Sequence, residues 1–519
     1  MDLFTGIGSV LEPFHLLLMV VGVFIGLIFG TIPGLSGITA VALLVPFSYV
    51  LGAEAAIIMM IGVYVAATCA GSLAGTLFNM PGDVMGAATA RDGYPLTLQG
   101  HAGRAISIDI TASAVGGLIG TLLLVLIAPQ FLRIALRFGP PEFFALALLG
   151  MTSVASLASG SLIKALLAGT LGLLMATVGL DPVSGAVRFN FGLQQLQGGI
   201  DFIPAIIGFF AVAEIFNSLY RGTGRGRYTA KDIEKIPRFA LPSWADLRRT
   251  RWTMLRASLL GNFIGMLPGA GSTIAAFLGY GTEVQLSRNP ERFGKGEIKG
   301  VAAPEAANNS AAAGSMVPLL TLGIPGGAVT AIMLGVFILN GLRPGPLLFR
   351  DAPEIASSVF GALAVASVVV FFVGLLAVRL LLRLLTIPFE VFSTMVLVFA
   401  VVGTFAIYNR TIDLWVMLVC GILGFFAKQY GFPVSALVLG LVLGDIAETG
   451  LVNGIGVSRG SWSAFLSRPF TIGTLVIAFI LLLLPLLWAY LGRRRRRADT
   501  AAPVERAERS STADEQDRS

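Results

Sequence analysis

Long apolar stretches separated by short polar turns run through most of the chain. They lie near residues 13–32, 38–52, 55–80, 105–128, 142–180, 203–220, 253–280, 302–340, 355–386, 390–429, 433–447 and 471–491. About 20 apolar residues cross a bilayer as a helix, and about 10–14 do not. The longer stretches therefore hold one or two spans each, and the shorter ones read as re-entrant segments. The pattern predicts an all-α polytopic membrane protein with about 10–14 membrane segments.

Two Pro-Gly elements interrupt this pattern, and each occurs twice in the same order. The first copy reads GTIPGLSG, with Gly30, Pro33, Gly34 and Gly37, followed by TLFNMPGD with Asn79, Pro81 and Gly82. The second reads GMLPGAGST, with Gly265, Pro268, Gly269 and Gly271, followed by TLGIPGG with Thr321, Pro325 and Gly326. Proline lacks an amide hydrogen and glycine loosens the backbone, so each element breaks a helix. Unpaired backbone in hydrocarbon costs several kcal/mol per group, so such breaks persist only within protein or beside a polar cavity. A duplicated pair of interrupted segments points to a transporter's binding site.

Two weaker matches extend the repetition. Pro141, Glu142 and Phe143 are echoed by Pro388, Phe389 and Glu390, and DPVSG (Asp181 to Gly185) by FPVSA (Phe432 to Ala436). We read two internally duplicated halves, 1–220 and 253–470, joined by a basic linker at 221–252. An extra helix at 471–492 and a basic, then disordered tail at 493–519 complete the scheme.

Composition agrees with the pattern. Hydrophobic residues make up 55% of the chain and charged ones 13%, against about 25% charged in soluble domains. Mean hydropathy is +0.84. The net charge of +7 is concentrated: no Lys or Arg precedes Arg91, whereas Arg225, Lys231, Arg248 and Arg249 crowd the linker and Arg493 to Arg497 form a run. The positive-inside rule puts both basic regions in the cytoplasm. They read as topology signals and lipid contacts, and no folded basic domain accompanies them to suggest nucleic-acid binding. With no basic residue to hold the N-terminus inside, it is expected outside, which makes the two halves inverted. Without a basic n-region, 13–32 reads as a retained span. Arg288, Arg292, Lys295 and Lys299 must also lie inside, which a re-entrant hairpin at 262–280 reconciles.

Cys69 and Cys420 are the only cysteines, and His15 and His101 the only histidines. That set carries no disulfide framework, no zinc site and no histidine-based catalysis. We expect no enzyme activity, no catalytic residue and no cofactor.

Polar residues gather at the breaks. Pro33, Gly34, Ser36 and Thr39 mark the first, and Ser72, Thr76, Asn79, Pro81, Gly82 and Asp83 its partner. Pro268, Gly269, Ser272 and Thr273 mark the third. Asn308, Asn309, Ser310, Ser315, Thr321, Pro325, Gly326 and Thr330 surround the fourth. Helix N-termini supply amide donors and about half a positive charge each, which suits a carboxylate. Carbonyls freed at the same breaks can ligate a sodium ion. Glu305 is either a functional carboxyl in the membrane or an interfacial cap. Glu214 is expected near the interface, Lys164 to snorkel to a head-group region, and Asp445 and Glu448 to mark the watery end of a short apolar run. Gly120 reads as ordinary helix packing.

Several blocks together resemble the large membrane subunit of tripartite tricarboxylate transporters. They are GTIPG with NMPGD, ATARDGYPLTLQGHAGRAI (Ala88 to Ile106), GMLPGAGSTIAAFLGYGTE, GKGEIKGVAAPEAANNSAAAGSMVPLLTLGIPGG, NGLRPGP (Asn340 to Pro346), GDIAE and the SRPF around Arg468 and Pro469. The resemblance covers about 12–470. It implies a bacterial cytoplasmic-membrane importer for a tricarboxylate or related organic acid, driven by a sodium or proton gradient. It also implies an extracytoplasmic solute-binding protein, a small four-helix membrane subunit and an elevator-like movement. No P-loop is present, so energy comes from a gradient or a partner. A passive organic-anion channel is the alternative.

Overall fold

The computed structural model describes residues 3–157, 161–181, 184–221, 241–269, 271–384, 387 and 389–483. Pro182, Val183, Pro388, most of the basic linker, the far end of the extra helix and the arginine run with its tail lie outside these residues.

The first part of the chain folds as α1 (Leu3–Val10), α2 (Pro13–Thr31), α3 (Gly37–Leu51), α4 (Ala53–Ala70), α5 (Leu73–Phe78), α6 (Gly86–Leu98), α7 (Ala102–Ala135), α8 (Pro140–Leu157), α9 (Leu162–Ala176) and α10 (Phe202–Arg221). A two-residue antiparallel ladder, β1 (Gly179–Leu180) with β2 (Val187–Arg188), is the one departure from helix among the regular elements described. The second part gives α11 (Trp244–Gly265), α12 (Gly271–Leu286), α13 (Ile298–Gly314), α14 (Met316–Leu322), α15 (Ala328–Leu339), α16 (Pro346–Asp351), α17 (Pro353–Leu384), α18 (Phe389–Tyr408), α19 (Thr411–Gln429), α20 (Val434–Val457), α21 (Trp462–Leu466) and α22 (Pro469–Leu483).

Eight helices among the described residues are long and apolar enough to cross a membrane, counting Ala53–Phe78 as one. Four shorter apolar helices, α3, α9, α15 and α22, accompany them. This is a polytopic, essentially all-helical membrane protein.

Small residues decide how the helices pack. α13 reads IKGVAAPEAANNSAAAG, and nearly all of it is buried. A Cβ built on Gly116 or Gly120 of α7 would fall 2.3 Å from the Ala306 carbonyl oxygen or 2.8 Å from Ser310 Cα. One built on Gly261 or Gly265 of α11 would fall 2.1 or 2.2 Å from the carbonyl oxygens of Ala307 and Ala311. Helices meet this closely only where one surface lacks side chains. α13 is thus clasped backbone to backbone by α7 and α11, and both run parallel to it.

The same device joins α2 to α4, where Gly22, Gly26 and Gly30 face the carbonyls of Met59, Val63 and Ala67 in turn. Those helices are also parallel. Tyr64 of α4 meets Ser315 just past the end of α13, while Cys69 lies toward Glu305 near its start. The α2/α4 pair therefore runs antiparallel to the α11/α13 pair. α12 folds back along α11, with Glu283 accepting from Thr253 (2.8 Å) and Arg256 (2.9 Å). The GMLPGAGST break is the tip of that hairpin, and both open ends lie at the basic face that holds Arg249, Arg256 and Lys299.

Candidate functional site

Each Pro-Gly element falls where one helix stops and another starts. The first lies between α2 and α3, the second between α5 and α6, the third between α11 and α12, and the fourth between α14 and α15. Local chemistry explains each interruption. Asn79 closes α5 in the left-handed conformation (φ 58°), and Gly323 closes α14 in the same way (φ 71°). Ser36 caps α3, its hydroxyl accepting from the Thr39 amide at 3.3 Å. Gly34 (φ 91°) and Gly269 (φ 81°) take up backbone angles that side chains oppose.

The breaks meet in pairs. Gly82 packs so closely on Gly30 that an added Cβ would lie 2.0 Å from the Gly30 carbonyl oxygen, and its amide donates to Gly71 at 2.9 Å. In the second pair the Gly269 amide donates to the Gly326 carbonyl at 2.9 Å. Helices α3, α6, α12 and α15 start at these breaks, and the first amides of α6 are already bonded to the carbonyls of Asp83, Val84 and Met85. Pro33, Gly34, Ser36, Pro81, Gly82, Gly269 and Thr273 are partly accessible, whereas Pro268, Pro325 and Gly326 are buried.

Between the two pairs lies a buried polar network. Glu305, fully buried on α13, accepts from Thr89 Oγ1 (2.5 Å), Ser113 Oγ (2.9 Å) and Asn308 Nδ2 (3.3 Å). Asp109 of α7, equally buried, accepts from Ser72 Oγ (2.9 Å) and Thr76 Oγ1 (3.1 Å). Ser72 stands in the turn between α4 and α5, its hydroxyl 2.9 Å from both Asp109 Oδ1 and the Cys69 carbonyl. Neither carboxyl has a salt-bridge partner among the described residues. Asn309 donates to Asn308 Oδ1 (2.7 Å) and to the Glu305 carbonyl (3.3 Å), yet its own Oδ1 is buried without a partner. Ser272 Oγ is buried and unbonded in the same way, near the Tyr64 hydroxyl, which lies 3.2 Å from Ser315 Oγ. Unpaired buried polar groups each cost about 1–3 kcal/mol. Two of them beside the breaks mark a place that a polar ligand or water completes.

A model of the tripartite tricarboxylate transporter TctA family matches residues 16–439. The chain belongs to that family. Two proteins of Agrobacterium vitis are similar to this TctA-family chain. An "Uncharacterized 52.8 kDa protein in TAR-I ttuC' 3'region" is 36% identical over 486 residues, covering 94% of this chain and 96% of the relative. An "Uncharacterized protein in TAR-II ttuC' 3'region" is 37% identical over 227 residues, 44% of this chain and 94% of that relative. No solved structure matches.

The expected residues of the TctA-family chain separate into groups. Asn308, Asn309 and Ser272 sit at the buried network, with Glu305 deep in the protein and away from any watery cap. Asn79 is exposed, and its contribution is the backbone turn. The Thr321 hydroxyl donates to the Val317 carbonyl of its own helix (2.7 Å), and Thr330 caps α15. Asp445 and Glu448 are not at the end of a short run. They lie within the 24-residue α20, where Glu448 holds Arg188 of β2 through two bonds of 2.6 and 3.0 Å. Glu214 pairs with Lys428, and Lys164 donates to the Tyr430 carbonyl at 2.7 Å. Asp109, Thr89, Ser113 and Tyr64 were missed. The available signal for Asp109 was a lone acid inside the 105–128 apolar stretch, which is a functional pointer by default. A groove of about 650 Å³ along α18, between Glu390 and Phe399, is lined mostly by apolar side chains and lies apart from this network.

Proposed function

We propose that this subunit imports a tricarboxylate or related organic acid across the bacterial cytoplasmic membrane, driven by a sodium or proton gradient. An extracytoplasmic binding protein feeds it, and a small four-helix membrane subunit accompanies it. The observation that carries this reading is the meeting of the helix breaks in two pairs, beside buried, unsatisfied amide and hydroxyl groups. Amide donors at helix N-termini compensate an anion's lost hydration without a dedicated cation. Ser36, Thr273, Gly34 and Gly269 are assigned to the carboxylates of the substrate, and Ser272 and Asn309 to its orientation.

The recurrence of glycine-on-carbonyl packing supports two duplicated, inverted halves. The Gly26–Val63 and Gly30–Ala67 contacts of α2 on α4 have counterparts in the Gly261–Ala307 and Gly265–Ala311 contacts of α11 on α13. Opposed halves of this kind provide alternating access by moving one set of helices against the other.

The test is uptake of radiolabelled citrate into proteoliposomes holding this chain, its small membrane partner and the binding protein. Accumulation above the external concentration is expected only with an imposed sodium or pH gradient. Flux that ignores both gradients would establish a channel instead.

A further inference from the structure

We propose that Asp109 and Glu305 share one proton and form the site through which a proton gradient drives the transporter. This rests on the import reading above and names its coupling ion and residues. Both carboxyls are fully inaccessible and belong to different helices, and Asp109 stands one turn before Ser113 of α7, whose hydroxyl donates to Glu305 at 2.9 Å. Two ionised carboxylates in one dry network repel each other and pay a desolvation cost that hydroxyl donors alone do not offset. One proton between them removes a charge and adds a donor.

Among the described residues nothing positive pairs with either carboxyl. From α4 the Cys69 thiol faces both carboxyls. α6 contributes Thr89, while its Asp92 is engaged by Tyr280 and its Arg91 lies over the Phe277 and Tyr280 rings. On α11 and α12, Arg256 and Glu283 are paired with each other, and Lys299 of α13 joins that pair. α17 presents Ser367 to α7 at Gly117. Each carboxylate oxygen already accepts from a hydroxyl, which leaves little of the oxygen shell that a metal ion needs.

Asp109 and Glu305 each stand seven residues into a helix that starts at the basic face. At 1.5 Å per residue that is roughly 10 Å from this surface. In the cycle, an O–H bond of hydronium on the extracytoplasmic side breaks as an O–H bond forms on the pair, leaving water. At the basic face the movement exposes the pair, its O–H bond breaks, and the proton forms a new O–H bond on water there.

The wild-type chain in liposomes is expected to show the infrared carbonyl band of a protonated carboxylic acid at neutral pH, lost as pH is raised. Asp109→Asn and Glu305→Gln should each remove the band, whether or not the variant transports. With the membrane potential clamped at zero and sodium absent, one unit of inward pH gradient is worth 1.36 kcal/mol. It should therefore sustain about tenfold citrate accumulation by the complete wild-type system. Absence of the band, its persistence in both variants, or accumulation that follows sodium and ignores pH would overturn the proposal. A titrating band in a system with no citrate flux would instead bring down the import reading, and the coupling role with it.

Discussion

The amide of Gly269 donates to the carbonyl of Gly326 at 2.9 Å, tying the tip of the α11–α12 hairpin to the turn between α14 and α15. The contact exists because both positions lack a side chain. Gly269 has φ 81°, and a Cβ there would lie 2.2 Å from Val154 Cγ2 and 2.8 Å from the Val154 nitrogen. A Cβ on Gly326 would lie 2.7 Å from that of Ser315. Gly269→Ala thus meets backbone strain and a clash at once, about 1–3 kcal/mol for the conformation alone. A large fall in uptake and a lower unfolding temperature in detergent are expected. Gly281→Ala, with open space around it on α12, should leave both unchanged or raise the temperature slightly.

Gly120 belongs with the sensitive positions. Its Cβ would press on Ser310 Cα at 2.8 Å, and its carbonyl accepts from Asn262 Nδ2 at 3.1 Å. Gly120→Ala should separate α7 from α13 and impair folding at least as much as Gly269→Ala. Tolerance comparable to Gly281→Ala, read by thermal unfolding, would show that α7 and α13 are less tightly clasped than described.

What the sequence revealed and what it hid follow from the range of the interactions involved. Prolines and glycines act on their own backbone, so the four interruptions were visible as PG pairs before any packing was known. Glu305 was conspicuous because its neighbours in sequence are apolar or amide. Its partners were not, since Thr89 and Ser113 reach it from 216 and 192 residues away. Tyr64 lies in an apolar run with no local signal, and its partner Ser315 stands 251 residues away. Glu448 was misplaced because the basic residue that neutralises it, Arg188, lies 260 residues earlier.

Asn308 and Asn309 are adjacent, yet the structure predicts different consequences for the same change. Asn308→Leu removes a donor from Glu305 and the acceptor of Asn309 Nδ2. It should lower stability by about 1–3 kcal/mol and abolish uptake. Asn309→Leu removes an oxygen that has no partner, together with two donated bonds, so uptake should fall further than stability does. Comparing citrate uptake with thermal unfolding for the pair checks this. Wild-type uptake in Asn309→Leu would remove that residue from the binding site.

Asp92 organises the loop at the basic face. Its Oδ1 accepts from the amides of Gly294 (2.9 Å), Gly296 (2.9 Å) and Glu297 (2.8 Å), and Oδ2 from the Tyr280 hydroxyl (2.9 Å). One short side chain thereby fastens α6 to the entrance of α13. Asp92→Ala leaves three amides without an acceptor, each costing about 1–3 kcal/mol if it stays buried. The loop should instead open. Hydrogen exchange over residues 292–299 is expected to accelerate sharply in the variant, while the α2/α4 contact keeps its protection.

Arg104 and Asp246 make a pH-dependent clamp at the same face. Arg104 Nε and Nη2 donate to Asp246 at 2.8 and 2.5 Å, and Ser243 adds a third bond at 2.8 Å. These hydrogen bonds, chiefly from Arg104, hold the Asp246 carboxyl below its ordinary range. A carboxyl with a depressed folded value stabilises fully above its unfolded value of about 3.9, and that contribution is lost as pH falls through the folded value. Because the guanidinium is 37% exposed, solvent limits the gain to about 1 kcal/mol or less. Arg104→Gln should therefore be slightly less stable than wild type at pH 7 and converge with it in acid. A difference that grows as pH is lowered from 7 would show that Asp246 is not the group being stabilised.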